Sequence, residues 1–328
     1  MRCVDARLLP ALLAVPAALA QPANWAVLAP AGPMAQAIAD ISWAMFTGAA
    51  LITAVVMGLL WRAVTGPPQT VRPGLWLVGA GLGFPVTVLG ALMLWSQWRA
   101  HEVMADPPPD ALVIGVTGHQ WWWEVRYRHP DSGADIALAN EIRVPLGRTV
   151  MLGLTSADVI HSVWLPQLAG KMDTVPGRVN RLVLRADRPG IYRGACAEFC
   201  GEQHARMGLR LVAMDPAAFS AWLRDQALDA RPAATPQQER GRDAFLNQRC
   251  GACHTVRGVT SEGRLAPDLT HVASRVALGA GLLPNGPAAL RQWVAHTQDL
   301  KPGARMPSYG HLDAPTLDAI AAWLGRLE

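Results

Sequence analysis

The chain has 328 residues, of which 51% are hydrophobic and only 16% are charged. This length allows two or three domains, and the apolar composition is typical of a protein with a membrane component rather than of a fully soluble one. The formal net charge is +4, but the arginines are scattered and lack interleaved aromatic residues, so we exclude nucleic acid as a partner.

The first twenty residues have the pattern of a secretory signal peptide. Arg2 and Arg7 flank the start of the chain, an apolar run begins at Leu8, and residues 18–20 form a small-residue cleavage site. We therefore predict a signal peptide over residues 1–20. Cleavage there would remove Cys3 and leave four cysteines, which fall into two clusters.

Two long segments without charged residues follow the predicted signal. Residues 41–61 and 75–98 are each long enough to cross the roughly 30 Å hydrocarbon layer as a helix. Buried helices of a soluble core are the alternative, but soluble helices of this length usually carry a polar stripe. We predict a transmembrane hairpin over residues 34–100.

The link between the two predicted spans sets their orientation. It contains Arg62 and Arg72 and no acidic residue, which places it in the cytoplasm by the positive-inside rule. The N-terminus and everything after residue 98 then lie on the periplasmic or outer side of a bacterial inner membrane. That compartment is oxidising, so unprotected cysteine pairs would form disulfides there.

The region over residues 110–225 is rich in short β-type runs separated by Gly, Pro, Asp and Asn turns. This texture predicts an all-β sandwich or barrel. The predicted strands cover residues 112–116, 121–127, 142–144, 149–154, 179–184 and 209–212.

A Pro- and Ala-rich linker over residues 226–235 leads into a helical region over residues 236–328. Thr235, Pro236 and Gln238 match a helix start with a capping box. Helical patterns run to about residue 249 and over residues 288–297 and 315–327, and no strand is predicted. The third part is therefore a small all-α domain.

The first cysteine cluster is Cys196-Ala-Glu-Phe-Cys200-Gly-Glu-Gln-His204-Ala-Arg-Met207. Alone, two cysteines of an exported protein favour a disulfide. The company of His204, Met207 and an upstream His161 indicates a metal site instead. Two thiolates and two imidazoles suit zinc or copper, and the thioether favours copper, while a structural zinc site is the alternative on ligand count.

The second cluster, Cys250-x-x-Cys253-His254, is the attachment pattern of c-type haem. The two thiols would form thioethers with the haem vinyl groups, and the histidine would bind the iron. A thioredoxin-like redox pair is the alternative. The sixth iron ligand should be Met or His, and Met306 is the one methionine beyond residue 214. A bis-histidine haem would instead use His271, His296 or His311.

The order of the first cluster resembles the binuclear copper (CuA) site of subunit II of haem-copper cytochrome c oxidases. Residues 118–123 (Gly-His-Gln-Trp-Trp-Trp) and 171–177 (Lys-Met-Asp-Thr-Val-Pro-Gly) are similar to segments that flank that site. Residues 301–307 resemble the axial-methionine loop of class I cytochromes c. The resemblance implies a multidomain membrane protein: a two-helix transmembrane hairpin, an all-β cupredoxin-like domain and a fused all-α cytochrome c domain.

The resemblance also implies roles for the cluster residues. Cys196 and Cys200 would bridge two coppers, so that one electron is spread over both metals. His161 and His204 would each hold one copper, while Met207 and the backbone carbonyl of Glu198 would be weak outer ligands. The Glu198 side chain would then reach a magnesium ion at the border with subunit I, since a carboxylate suits that hard cation; a solvated surface acid is the alternative.

In the family, an aromatic patch over the copper site is where electrons enter. Three adjacent tryptophans on a strand cannot all face one way. We expect Trp121 to accept the electron, with Trp123 as second choice, and we expect core packing to suit Trp122 best.

The resemblance implies that the chain is subunit II of a respiratory, proton-pumping cytochrome c oxidase. It would relay electrons from its covalent haem c to CuA and on to subunit I, which reduces oxygen to water; the spans of this chain contain no histidine to hold a catalytic haem. Expected partners are subunit I, subunit III, membrane lipid and an external cytochrome c or other donor. The alternatives are a copper-containing subunit of a nitric oxide reductase and a membrane-anchored electron carrier without an oxidase partner.

Overall fold

The computed structural model describes residues 27–67, 70–103, 106–129, 133 and 135–328. The predicted signal peptide over residues 1–20 lies outside them. Along the chain the structure has two long apolar helices, a β-sandwich and a small helical domain, which is the predicted fold class.

The two N-terminal helices are long and apolar enough to span a membrane. Helix α1 covers Pro33–Thr65; a wider, π-helical segment over Leu75–Gly83 runs directly into α2, Phe84–Val103. Helix α1 begins well before the predicted span, because its first turns pack on the β-sandwich and bury small alanines such as Ala35 and Ala39. Near the same end, Arg99 donates to Asp40 at 2.8 Å and joins the two helices.

The strands of the β-domain are β1 Leu112–His119, β2 Trp122–Arg128, β3 Asp135–Ala139, β4 Glu141–Pro145, β5 Val150–Ser156, β6 His161–Trp164, β7 Lys171–Thr174, β8 Asn180–Leu184, β9 Gly190–Cys196 and β10 Gly208–Met214. Among the residues the structure describes, they form two five-stranded sheets, ordered β3-β2-β1-β5-β8 and β4-β10-β9-β6-β7. Alternate side chains, including Ile114, Leu152 and Leu211, point inward and form the core between the sheets.

Four of these strands, β3, β6, β7 and β9, are missing from the sequence prediction. Strands β6 and β9 carry polar residues, glycine and candidate metal ligands on faces that are nevertheless buried, so they lack the usual apolar alternation. A further helix, α3 over Pro216–Gln226, also escapes the sequence analysis. Asp215 caps it, and it lays Phe219 and Trp222 on the sandwich.

The helical domain contains α4 Pro236–Asn247, α5 Pro287–Leu300 and α6 Ala314–Leu324. The predicted cap of α4 is present, because the Thr235 hydroxyl accepts from the Gln238 amide at 3.3 Å. The expectation of no strand is wrong in one place: Ala277–Leu278 (β11) and Leu283–Pro284 (β12) form a short hairpin. The turn between them includes three consecutive residues with positive φ, two of them glycines, which no apolar pattern announces.

The helical domain is packed against the sandwich over several polar contacts. The buried Glu141 carboxylate accepts from the Val276 amide at 2.7 Å, and the Gly208 amide donates to the Ala280 carbonyl at 2.9 Å. The segment between α3 and α4 is also anchored, since Arg257 donates to the Leu228 carbonyl at 2.9 Å. The two domains therefore meet along an extensive interface.

Candidate copper and haem sites

Three parts of the second sheet converge at one end of the sandwich. His161 opens β6, Cys196 closes β9, and the turn that holds Cys200 and His204 leads into β10. The Cys196 amide donates to the Met207 carbonyl at 3.0 Å, which closes the loop that carries the remaining ligands. The predicted ligand residues are thus brought together by strand pairing.

The donor atoms of this cluster face one another. The Sγ atoms of Cys196 and Cys200 lie 3.8 Å apart, His161 Nδ1 lies 4.0 Å from the first sulfur, and His204 Nδ1 lies 3.6 Å from the second. Met207 Sδ is 3.8 Å from Cys200 Sγ, and the Glu198 carbonyl is 3.2 Å from Cys196 Sγ.

These distances fit a metal site rather than a disulfide. A disulfide needs about 2.05 Å between its sulfurs, and both cysteines are free. One ligand atom from each of His161, Cys196 and Cys200 falls within 4.8 Å of the others. Because the set also includes the buried Met207 thioether, its donors suit copper better than zinc.

His161 is fully buried and its orientation is fixed from the far side. Asp158 Oδ1 lies 2.8 Å from His161 Nε2, which leaves Nδ1 aimed at the sulfurs. The Trp123 ring packs edge-on against the imidazole with 5.7 Å between centroids. Gly118 gives the ring its space: a Cβ there would fall 2.7 Å from His161 Cδ2.

The contact between the two thiols shifts their pKa values in opposite directions. The hydrogen bond from Cys200 lowers the pKa of Cys196, and the same contact together with burial raises the pKa of Cys200. Burial lowers the pKa of His161, but hydrogen bonds to Cys196 and Asp158 outweigh it, so that the pKa is raised overall. Metal ions would displace the protons held by this cluster.

Glu198 and Phe199 lie at the exposed rim of the loop over residues 196–207, which we call the copper loop, and Phe199 is 77% exposed. The Glu198 carbonyl points inward to Cys196, whereas Glu198 as a whole is exposed at the protein surface.

The second cluster lines a cavity of about 400 Å³ that lies between the helices of the C-terminal domain and is also lined by residues of the β-sandwich. Cys250, Cys253 and His254 form part of its wall, and Met306 forms another. His254 Nδ1 donates to the Pro267 carbonyl at 2.7 Å, which leaves the lone pair of Nε2 free to bind a metal ion. Burial lowers the pKa of His254 and favours the neutral imidazole that binds iron. These residues fit a covalent haem c.

The loop that carries Met306 is held by a residue that sequence analysis missed. Gln298 Nε2 donates to the carbonyls of Ala304 and Met306, both at 2.6 Å, and Gln298 Oε1 accepts from the Gly303 amide at 3.2 Å. No sequence signal identifies Gln298, since it lies in an ordinary amphipathic helix.

The three alternative histidine ligands are engaged elsewhere. Both ring nitrogens of His271 face carbonyl oxygens, at 2.7 and 3.0 Å, His296 contacts Asp299 at 3.2 Å, and His311 packs beside Tyr309. Within the described part of the chain, none of the three lines the cavity.

The burial of the three tryptophans differs from the expectation drawn from the sequence. Trp123 is the core residue, with no exposed surface, whereas Trp121 and Trp122 are half-buried and line the haem-side cavity. The expectation that Trp122 suits the core best is therefore wrong, and Trp123 offers no surface to a donor. Trp121 also touches the copper loop, because its Nε1 donates to the Cys200 carbonyl at 2.9 Å.

Comparisons with known proteins agree with both parts of the chain. The family model "Cytochrome C oxidase subunit II, periplasmic domain" matches residues 129–214, and "Cytochrome c" matches residues 238–328. Cytochrome c oxidase subunit 2 of Alkalihalophilus pseudofirmus is 32% identical over 93% of this chain and 91% of its own length. The corresponding protein of Bacillus sp. (strain PS3) is 31% identical over 69% of this chain and 66% of its own length.

Among solved structures, the periplasmic domain of subunit II of cytochrome oxidase of Bradyrhizobium japonicum is 31% identical. The match covers 37% of this chain and 96% of the chain of that structure, with a TM-score of 0.34.

Fold, site and relatives together define a membrane-anchored subunit of an oxidoreductase complex, with a c-type cytochrome as its last domain. The chain belongs to the cytochrome c oxidase subunit II family. Membership implies haem c and CuA as cofactors in general terms and a catalytic subunit I as partner.

Proposed function

We propose that this chain is the electron-relaying subunit of the complex and leaves oxygen reduction to subunit I. In this proposal electrons pass from haem c to CuA and on to subunit I. The observation that carries it is the position of Trp121. This residue lines the cavity that holds Cys250, Cys253 and His254, and its indole donates to the backbone of the copper ligand Cys200.

When bound, haem c and the copper pair would each accept and release one electron without making or breaking a bond. The residues of the chain would hold both centres in fixed positions. Cys196, Cys200, His161, His204 and Met207 would bind copper from strands and a turn pinned by backbone hydrogen bonds, so little rearrangement follows a change of charge. The site set is completed by the Glu198 carbonyl as outer copper ligand and by Cys250, Cys253, His254 and Met306 for the haem.

The remaining expectations form part of the same proposal. The domain division, with a hairpin over residues 34–100, a copper domain over 110–225 and a haem domain over 236–328, is supported by the element order. We place the large domains on the periplasmic side of the inner membrane, on the basis of Arg62 and Arg72 in the link. We assign a magnesium ion to the exposed carboxylate of Glu198 at the subunit I border, and an external cytochrome c or similar donor to the haem domain.

The test uses the complex purified from membranes with the full chain in place. We expect absorption of a low-spin c-type haem, a paramagnetic signal of a mixed-valence copper pair, a copurifying subunit with high-spin haem, and consumption of oxygen. Nitric oxide consumption in place of oxygen would move the chain to a reductase. A disulfide between Cys196 and Cys200 in the fully metallated protein would contradict the copper assignment.

A further inference from the structure

Lys301 is a buried lysine at the boundary between the two exported domains. Only 4% of its surface is exposed. Its ammonium donates to the Trp121 carbonyl at 2.7 Å, the Arg206 carbonyl at 2.9 Å and the Gly279 carbonyl at 3.2 Å. Two of these acceptors belong to the copper domain and one to the haem domain, so a single side chain crosses the interface.

The three acceptors match the chemistry of lysine. An ammonium has three N–H donors on one compact atom, and each meets one carbonyl here. An arginine would present a wide planar fork of five donors to the same space. The chain has only two lysines, Lys171 and Lys301, against 27 arginines (29 basic residues in total, minus 2).

The Lys301 ammonium is held by backbone dipoles rather than by an opposite charge. Among the described residues, no ion pair includes Lys301. A buried charge is costly unless its hydrogen bonds are made, and all three are made here only when the domains are together. Separation of the domains would remove two of the three acceptors.

The acceptors are also close to both redox sites. Trp121 touches the copper loop and lines the haem cavity, and Arg206 immediately precedes Met207 in the copper cluster. Arg206 adds another bond across the interface, from its guanidinium to the Leu300 carbonyl at 2.8 Å. Lys301 itself begins the loop that ends at Met306, and Gly303 of that loop approaches the Trp121 ring closely.

We propose that Lys301 is a positioning residue that locks the axial-methionine loop of the haem domain onto the backbone of Trp121 and Arg206. It thereby fixes the contact through which the two redox sites communicate. The role of this contact in electron transfer rests on the proposed function. The attachment of the loop through Lys301 is a property of the protein that can be measured without electron transfer.

The first test is amine labelling of the complete, cofactor-loaded complex with a water-soluble acylating reagent, followed by mass spectrometry. Lys171 is exposed and serves as the internal reference where no partner covers it. A short free amine added to the reaction calibrates the labelling rate of the reagent in every case. We expect Lys301 to label at least about tenfold more slowly than a free amine, since its three hydrogen bonds hold it in the interface. Labelling of native Lys301 at the rate of a free amine would overturn the proposal.

The second test is Lys301→Met, which keeps most of the length of the side chain and removes its donors. Loss of charged hydrogen bonds of the usual strength corresponds to about tenfold or more in the opening equilibrium. We expect hydrogen exchange at the Gly208 amide, which bonds across the interface to Ala280, to accelerate by about that factor. Haem-to-copper transfer should slow as the contact loosens, while the optical and paramagnetic spectra of both centres stay unchanged.

Arg291→Met is the matched control. It removes the same charge and a 2.7 Å bond to Asp318 within the haem domain, away from the interface. The proposal would be overturned if exchange of the Gly208 amide accelerated equally in the two variants, or if its exchange rate were unchanged in Lys301→Met. If Lys301→Met does not retain its cofactors, the labelling rate of Lys301 in the unmodified protein still tests the proposal. Absence of haem-to-copper transfer in the unmodified complex would refute the proposed function and leave the labelling result standing.

Discussion

The Gly118→Ala substitution tests whether the β-sandwich itself shapes the copper site. A Cβ at this position would lie 2.7 Å from Cδ2 and 3.1 Å from Cγ of His161, and 3.1 Å from Thr174 Oγ1. Carbon atoms in contact prefer about 3.5–4.0 Å, so the imidazole would have to move by about 1 Å. It has no free direction, since it is fully buried between Trp123 and Asp158.

Overpacking of this kind costs about 1–3 kcal/mol. We expect Gly118→Ala to lower the melting temperature of the copper-loaded protein, reduce its copper content and alter the paramagnetic spectrum of the copper pair. The assay combines metal analysis, paramagnetic resonance and calorimetry on the same preparation.

Gly115→Ala supplies the matched control in the same strand. Its new Cβ would meet the nearest atom, Arg126 Cβ, at 3.6 Å, which is ordinary contact. We expect copper content and spectrum to remain those of the unmodified protein. If both alanines behaved alike, or if Gly118→Ala kept the native copper spectrum, the argument that Gly118 makes room for the ligand His161 would be refuted.

Two further predictions follow from other contacts. Asp158→Asn removes the carboxylate that orients His161, so copper affinity should fall about 10–100-fold in competition with a chelator; unchanged affinity would show that the pair does not orient the ligand. Gln298→Leu removes the donor to the Met306 carbonyl, at a cost of about 1–3 kcal/mol, and should weaken the methionine-to-iron absorption band; a native band would mean that the loop is held otherwise.

The sequence predicts the parts of this molecule whose chemistry is local. Apolar length identifies the two membrane helices, and a cap with proline at the first turn identifies the start of α4. The spacing of Cys196, Cys200, His204 and Met207 places them in one loop, so their convergence requires little knowledge of the fold.

The sequence also contains a signal for which of the three tryptophans is buried. Trp123, Val125 and Tyr127 are the inward residues of β2, and they alternate with Glu124 and charged arginines. That period-two pattern assigns Trp123 to the core and leaves its neighbours outside.

Contacts between distant segments have no such signal. Strand β6 is identified by its pairing with β7 and β9 rather than by its four residues. Lys301 and Gln298 are ordinary residues of a helix and the loop that follows it, and their roles depend on how two domains and one loop pack. Such roles follow only from coordinates.

The packing of the helical domain over Trp121 changes which molecules the copper domain can meet. In a shortened chain that ended before α4, the indole and the carbonyls now bound by Lys301 would be open to water. In the full chain that surface lies inside the contact between the two domains, so an external donor of the kind proposed above would have to meet the outer face of the haem domain instead.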